Sequence, residues 1–519
     1  MMYFIIFLFV LYLIFYVAMK RKYRFWTAKK IPNVRPIPLV GNFLDMWLLK
    51  STMPEIEQRL CQQLPEEPLV GAYYGTEPCL IVQDPNIIKI ITTKDFYYFC
   101  NREVSDYVHK EFLAKNLFQT YGDNWKVLRQ NLTPLFSSAK MKKVFPLIEQ
   151  CSRQFEKVLD EQTEINKVLE VRNWMGRFTI DCIGSCIFGI DTQALVEANS
   201  SFQNIGNAFF IVPYQRFLKI LTRAMWPGIF YSLGLEIYPP NLNNFFLKFF
   251  CEIFANRNEK SSLRNDFIDL FHNINNQKYI IGDGIHYLKD VSTDKVKIEV
   301  DNTVLAAQCF ILFAAGYETS ASTASFTLFE LAKDQKLQER AYAEVVEFLR
   351  KHEGVLKHEC VNELTFLEQC IDETLRLYPV LGIITREVSE KYTFSDSKLT
   401  LDKGTRVHLP VLHMHRNPKY FPEPNTFRPE RFSPEGKRNI IPYTYFPFGE
   451  GPRICIGMRF AKMQMLAALV TILKKYRLEL AEGTPSTLNF EPKAFVTQSK
   501  ENINLTFIPR TDTDPIMYT

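Results

Sequence analysis

The sequence predicts a mainly α-helical fold with small β-sheets, carried behind an N-terminal transmembrane helix. Three observations predict it. An uncharged apolar run opens the chain, long stretches of helical period fill its middle, and short strand-like runs flank that middle on both sides.

Met1 to Met19 holds no charged residue, and Lys20, Arg21, Lys22, Arg24, Lys29 and Lys30 follow at once. A helix of that length, rising ~1.5 Å per residue, spans roughly the hydrocarbon core of a bilayer. A cleaved signal peptide is the alternative, but its basic residues would precede the apolar run and small residues would mark the cut. Here bulky Phe, Ile, Leu and Tyr run straight into the basic cluster. By the positive-inside rule that cluster, and the body of the chain behind it, faces the cytosol. Residues 1–19 are therefore predicted as an anchor and residues 20–41 as a basic, Pro-rich linker. Pro32, Pro36 and Pro38 exclude helix and favour a stiff extended spacer, with an ordinary loop as the other reading.

Residues 42–519 are predicted as one large domain. From Asn42 to Phe99 the pattern is mixed, with strand-like runs such as Cys79 to Val82. From Val104 to Arg376 helical period dominates, and beyond Leu377 short strands precede one more helix from about Ile456. Phe209 to Phe254 is dense in apolar and aromatic residues, with a break at Trp226 to Phe230. It reads as a core helix pair or as a second surface that dips into lipid. Asn273 to Asp301 is polar and irregular and is predicted as a solvated loop.

Composition narrows the function classes. A net charge of +5 over 519 residues gives no electrostatic ground for nucleic acid. The 43 Phe and 24 Tyr point to an interior or a pocket rich in flat apolar surface. Eleven cysteines, an odd number at irregular spacing behind a cytosol-facing anchor, read as reduced thiols. No C-x-x-C pair marks a zinc site, and no C-x-x-C-H marks covalent heme.

One cysteine stands apart. Phe446-Pro-Phe-Gly-Glu-Gly-Pro-Arg-Ile-Cys-Ile-Gly457 contains F-x-x-G-x-R-x-C-x-G, with Phe448, Gly451, Arg453, Cys455 and Gly457 at the fixed positions. Glycines let the backbone turn tightly and approach a sulfur closely, and N–H groups aimed at that sulfur tune its electron density. Phe448 would pack beside it and limit water, and the fixed donor fork of Arg453 suits a carboxylate. Upstream, Ala315-Gly-Tyr-Glu-Thr-Ser320 sets an acid and a hydroxyl in an otherwise apolar helix. A carboxylate there needs a reason. Gly316 can open space beside the helix, and the Thr319 hydroxyl can bond the carbonyl a turn earlier. Glu373 and Arg376 share a helix face at i, i+3, as do Trp125 and Arg129 at i, i+4. Alone, the first pair reads as a common surface ion pair.

Together these segments resemble the cytochromes P-450, most closely insect family-six enzymes, which are related to the vertebrate family-three group. The resemblance runs from the Pro-rich segment to the last strands, and none of the main motifs departs from the family pattern, Tyr317 in place of the usual Phe being a mild difference. It implies a triangular, helix-rich heme domain over residues 42–519, with heme b held by the Cys455 thiolate. It implies Arg453, Trp125, Arg129, Arg386 and Arg102 as propionate contacts, an ordinary surface arginine being the other reading of Arg102. It implies Thr319 as the hydrogen-bonding hydroxyl of oxygen activation and Glu318 as its proton carrier. Arg431 would complete a buried Glu373–Arg376–Arg431 arrangement that locks the fold.

The activity so implied is insertion of one atom of O2 into a lipophilic small molecule. Electrons would come from NADPH through NADPH–cytochrome P-450 reductase, with cytochrome b5 as a further candidate partner, at the endoplasmic reticulum membrane. Lys126, Lys140, Lys142, Lys143, Arg459 and Lys462 are candidate docking residues for the reductase. Phe112, Phe209, Phe210, Phe310, Ala315, Ile383, Ile384 and Val496 are candidate substrate contacts. Two other classes stay open: a heme-thiolate isomerase or dehydratase, and a non-catalytic binder of hydrophobic ligands.

Overall fold

Asp301 starts the element around which the rest is laid out. Its side chain accepts a hydrogen bond from the Val304 amide at 2.8 Å and caps the helix Asn302–Lys333. That helix is apolar on nearly every face, so it belongs in the middle of the molecule. By length and composition it could cross a membrane, but most of it is buried inside the protein, which makes it the core helix. Its hydroxyl residues do not break it. Thr319, Thr323, Ser325 and Thr327 each donate to the carbonyl four residues back, at 2.6–2.9 Å, so these polar groups are satisfied inside the core.

The computed structural model describes residues 2–259, 267–289 and 295–510. Helices Ser138–Ile165, Val171–Ile183, Pro240–Glu259, Gln335–Lys351, Thr365–Leu377 and Met458–Leu473 pack on the core helix or on one another. Strands form small sheets beside them. The first has the order Leu69–Tyr74, Glu77–Val82, Arg406–Leu409, Ile384–Glu387, with the middle pair parallel and the outer pairs antiparallel. Its register sets Arg386 opposite Val407, and a bridge from Glu387 to Asn101 brings the neighbouring Arg102 to the same edge. A second, antiparallel sheet joins Tyr476–Leu480, Asn504–Pro509 and Val168–Glu170.

Two expectations change. Helix Met2–Lys22 covers the predicted anchor and ends in Lys20, Arg21 and Lys22, with Met1 outside the described residues. The linker behind it is docked on the first sheet. Trp26 is fully buried and its indole N–H donates to the Ala72 carbonyl at 2.9 Å. Gly71 makes the slot: a Cβ there would come within 2.5 Å of the Trp26 ring. The folded body therefore begins near Tyr23, whose hydroxyl donates to the Gly75 carbonyl at 3.2 Å, and not at residue 42.

The predicted loop 273–301 is instead largely ordered. Helix Phe267–Gln277 runs into it, and strands Tyr279–Asp283 and Lys295–Glu299 pair antiparallel, with residues 290–294 between them outside the described residues. The hairpin is pinned to the helix Gly122–Leu132, where Gln130 donates to Asp283 at 2.6 Å and accepts from its amide at 2.7 Å. The aromatic stretch 209–254 is divided between the core and the surface. Phe217, Phe230, Phe246 and Phe250 are buried, whereas Ile211, Tyr214, Ile229 and Leu233 are exposed around the short helix Pro227–Ser232.

The Glu373–Arg376–Arg431 arrangement is present. Glu373 and Arg376 are fully buried, with two hydrogen bonds between them at 2.7 and 2.8 Å. Arg376 also donates to the carbonyls of His415 and Pro424 at 3.0 and 2.7 Å, and Arg431 stands 3.4 Å from Glu373. This ties the helix Thr365–Leu377 to the segment that leads into the Cys455 loop. Breaking such a pair strands a buried carboxylate, at a cost of roughly 3–5 kcal/mol. Urea denaturation should show Arg376→Ala destabilised by about that much, and Arg376→Lys should not restore it, because an ammonium cannot serve the carboxylate and the carbonyls together.

Candidate active site

Cys455 is presented by a loop that few residues allow. Gly451 has φ +70°, in the left-handed region, and a Cβ there would lie 1.7 Å from the Thr92 carbonyl oxygen. The Cys455 amide donates to the Phe448 carbonyl at 2.8 Å and the Ile454 amide to that of Gly451 at 3.0 Å, which fixes the turn. Gly457, with φ −92°, adopts backbone geometry open to any residue. What it contributes is a backbone N–H near enough to the cysteine sulfur to favour its thiolate. Cys455 lies deep among protein atoms, yet its side chain is exposed. Burial pushes its pKa up, while the Gly457 N–H and the charges of Arg129 and Arg102 pull it back down.

Four guanidiniums gather around that thiol. Arg453 is held by the carbonyls of Cys100, Phe118 and Thr120, at 2.7, 3.3 and 2.7 Å, and its charge lies over the Trp125 ring at 4.3 Å. Arg102 stacks on Phe118 at 3.7 Å, and Arg386 donates to its own neighbour's carbonyl, that of Thr385, at 2.9 Å. The Nε atoms of Arg102 and Arg386 are buried without a hydrogen-bond partner. Burial lowers all four pKa values, to about 9 for Arg102 and about 10 for Arg386, and the neighbouring arginines lower those of Arg102 and Arg453 further. No carboxylate acts on any of the four among the described residues. A dianionic group is what this donor set fits, with an exposed thiol beside it. Arg102, for which sequence left a surface reading open, belongs to the cluster.

On the core helix, Ala315 is exposed and Gly316 and Thr319 half-exposed in the otherwise buried stretch 312–320. The Thr319 hydroxyl donates to the Ala315 carbonyl at 2.6 Å, the bond expected from sequence. Gly316 does not open free space as expected: the room its missing Cβ leaves is taken by Ile183, 3.0 Å away, and its carbonyl accepts from Gln464 at 3.0 Å. Glu318 is 2% exposed and has the partner its burial demands. Arg172 donates to it at 2.8 Å and Ser322 at 2.9 Å. Burial pushes the Arg172 pKa down, but the charge and hydrogen bond of Glu318 together with Tyr317 and Glu170 outweigh it, and the net shift is upward. Sequence reading missed Arg172, which looks like an ordinary first-turn residue of the helix Val171–Ile183.

Among the predicted substrate contacts, Phe209 and Phe310 meet ring to ring at 5.0 Å. Phe495 stacks on Phe209 at 5.2 Å and Tyr238 packs on Phe310 at 5.5 Å, two residues the sequence did not single out. Phe112 and Val496 are half-buried against the same core. Ile384 is a strand residue beside Gly449 of the cysteine loop, with the half-buried Ile383 preceding it. Phe210 is different: it packs on Tyr317, whose ring fits between Gly176 and Gly206, and is a core residue.

The predicted basic face is smaller than expected. Lys126 lies over the Tyr287 ring at 5.8 Å, and Lys462 is paired with Glu368 at 2.5 Å and Asp372 at 3.7 Å. Lys142 pairs with Glu359 at 3.4 Å. Lys143 and Arg459 are exposed, and Lys140 and Lys143 share the rim of a surface cavity with Phe460.

Residues 31–506 match the protein family described as Cytochrome P450. Among curated proteins, the chain is 33% identical over 493 residues to Cytochrome P450 6k1 of Blattella germanica, covering 94% of each. It is 32% identical over 505 residues to Cytochrome P450 6B2 of Helicoverpa armigera, covering 97% of each. To Cytochrome P450 6a2 of Drosophila melanogaster it is 33% identical over 484 residues, 92% of this chain and 93% of that one.

A histidine sets the acid limit of the cysteine loop. His415 Nε2 accepts from the Phe446 amide at 3.0 Å, which requires a neutral ring, and burial pushes its pKa down to about 3. The unfolded chain takes up a proton below about pH 6.5 that the folded chain refuses, so stability falls with pH through that window. One such histidine amounts to about 1.4 kcal/mol between pH 7.5 and 5.5. Urea midpoints should therefore fall less steeply over that range in His415→Gln, which keeps an acceptor, than in the native protein.

Proposed function

The chain belongs to the cytochrome P450 family, and from that premise we propose that it is a membrane-anchored monooxygenase that inserts one atom of O2 into lipophilic small molecules. Its class as a heme monooxygenase follows from the family. The observation that carries the detailed reading is the open Cys455 thiol ringed by guanidiniums without carboxylates.

Heme b, bound through the Cys455 thiolate, would supply the activation of dioxygen. The residues around it would do the rest. Arg102, Arg129, Arg386 and Arg453 hold the propionates, with Trp125 backing Arg453. Gly451 lets the loop turn, the Gly457 N–H moderates the sulfur charge, and Phe448 limits water beside it. Thr319 holds a proton at Oγ1 on the exposed side of the core helix. Glu318 replenishes that proton, and Arg172, 30% exposed at its side chain, links the carboxylate to solvent. Ala315 leaves room for a substrate, and Phe112, Phe209, Phe310, Ile383, Ile384, Val496, Phe495 and Tyr238 offer it apolar surface.

Residues 1–19 would anchor the chain in the endoplasmic reticulum membrane, with the catalytic body cytosolic. The 21-residue helix ending in three basic residues supports this, and exposed Ile211, Tyr214, Ile229 and Leu233 supply a second apolar contact for the bilayer. NADPH electrons would arrive through the flavoprotein reductase, with cytochrome b5 as a further donor, at a face that includes Lys143 and Arg459.

The test is turnover of lipophilic probes under ¹⁸O2 with NADPH and reductase. Product should carry one labelled oxygen, and Thr319→Ala should cut product per NADPH consumed by about 10²-fold or less while NADPH oxidation continues. Lys143→Glu with Arg459→Glu should weaken turnover most at low salt. NADPH-independent rearrangement of a peroxide would identify an isomerase instead, and ligand-induced spectral shifts without any product would identify a binder.

A further inference from the structure

A second group of reactive side chains, which the monooxygenase reaction does not use, lies behind the first sheet. Glu57 comes from the helix Met53–Gln63, and Cys79 and His408 from the adjacent parallel strands Glu77–Val82 and Arg406–Leu409. All three are fully buried, and a carboxylate oxygen, the thiol sulfur and an imidazole nitrogen lie within 4.8 Å of one another. His408 Nδ1 is 2.5 Å from Glu57 Oε1, and Nε2 is hydrogen-bonded to Glu103. The second oxygen of Glu57, Oε2, is buried without a hydrogen-bond partner.

We propose that Glu57, Cys79 and His408 bind a zinc ion. Thiolate, imidazole and carboxylate are the donors that a borderline-soft divalent cation takes together. Glu103 stands where metal-bound histidines commonly find a carboxylate, on the ring nitrogen facing away from the metal. The orphan Glu57 Oε2 is a further lone pair with nothing else to accept. Zn²⁺ displaces one proton from the His408–Glu57 contact and one from the Cys79 thiol, so the enclosed net charge does not change. Ligand atoms in a tetrahedral site lie about 3.5 Å apart, so the 2.5 Å pair opens by about 1 Å once its proton leaves. Cys61, one helical turn after Glu57 and also buried, is a further candidate donor. An enclosed site of this kind loads as the chain folds. No contiguous motif announces it, because its ligands are separated by 22 and 329 residues (79 − 57 and 408 − 79).

The experiment is metal analysis of the heme-loaded enzyme, produced with zinc in the medium and purified without chelator. About one zinc per iron is expected, with a zinc-edge absorption spectrum that includes a sulfur at about 2.3 Å. Cys79→Ala should retain iron and lose at least about nine-tenths of the zinc. Less than about a tenth of a zinc per iron in the native enzyme would overturn the proposal, and so would zinc without a sulfur neighbour. Either result would leave a proton-bridged ion cluster. Both can be read on the native enzyme even if the variant does not fold.

Discussion

Like charges held together in the interior govern this molecule. Arg102, Arg129, Arg386 and Arg453 reach the neighbourhood of Cys455 from four separate parts of the chain, and none meets a carboxylate among the described residues. Desolvation and mutual repulsion both oppose that arrangement. The fold tolerates it through local devices: three carbonyls and the Trp125 ring around Arg453, Phe118 under Arg102, and the sheet edge that fixes Arg386. A dianion beside the thiol turns the same arrangement from a liability into a binding site. Heme binding and folding stability are linked on this account, because the group that fills the site also neutralises it.

The two sides of the site are built on different principles. The cysteine side is rigid, with a loop tied by its own backbone and braced by the buried Glu373–Arg376 pair and by neutral His415. The core-helix side has stored polarity. Thr319 and Glu318 are adjacent in sequence, yet one opens on the interior and the other turns toward Arg172 and solvent. The proton-carrying role proposed for Glu318 would need that division, since such a group must be buried enough to be dry and connected enough to be refilled.

Much of this was legible in the sequence where the chemistry is local. The Cys455 loop, the Thr319 back-bond and the Glu373–Arg376 spacing depend on neighbours a few residues away, and the structure has each of them. What depended on distant partners was not legible. Arg172 acquires meaning only when the helix Val171–Ile183 lies against the core helix, and Tyr238 and Phe495 only when the chain brings them to Phe310 and Phe209. Sequence suggests a stiff extended spacer at the linker because its prolines are visible there and the slot made by Gly71 is not. The loop at 273–301 was read as solvated because Lys295-Val-Lys-Ile-Glu299 alternates over only five residues, too few to stand out among polar neighbours.

The central claim is that Cys455 holds the iron of a heme as its thiolate. A reduced carbon-monoxide difference spectrum of the native protein and of Cys455→Ser tests it most directly. The account predicts a strongly red-shifted Soret band in the native protein that disappears in the variant while heme remains bound. The same band in both, or no such band in folded, heme-loaded native protein, would contradict it.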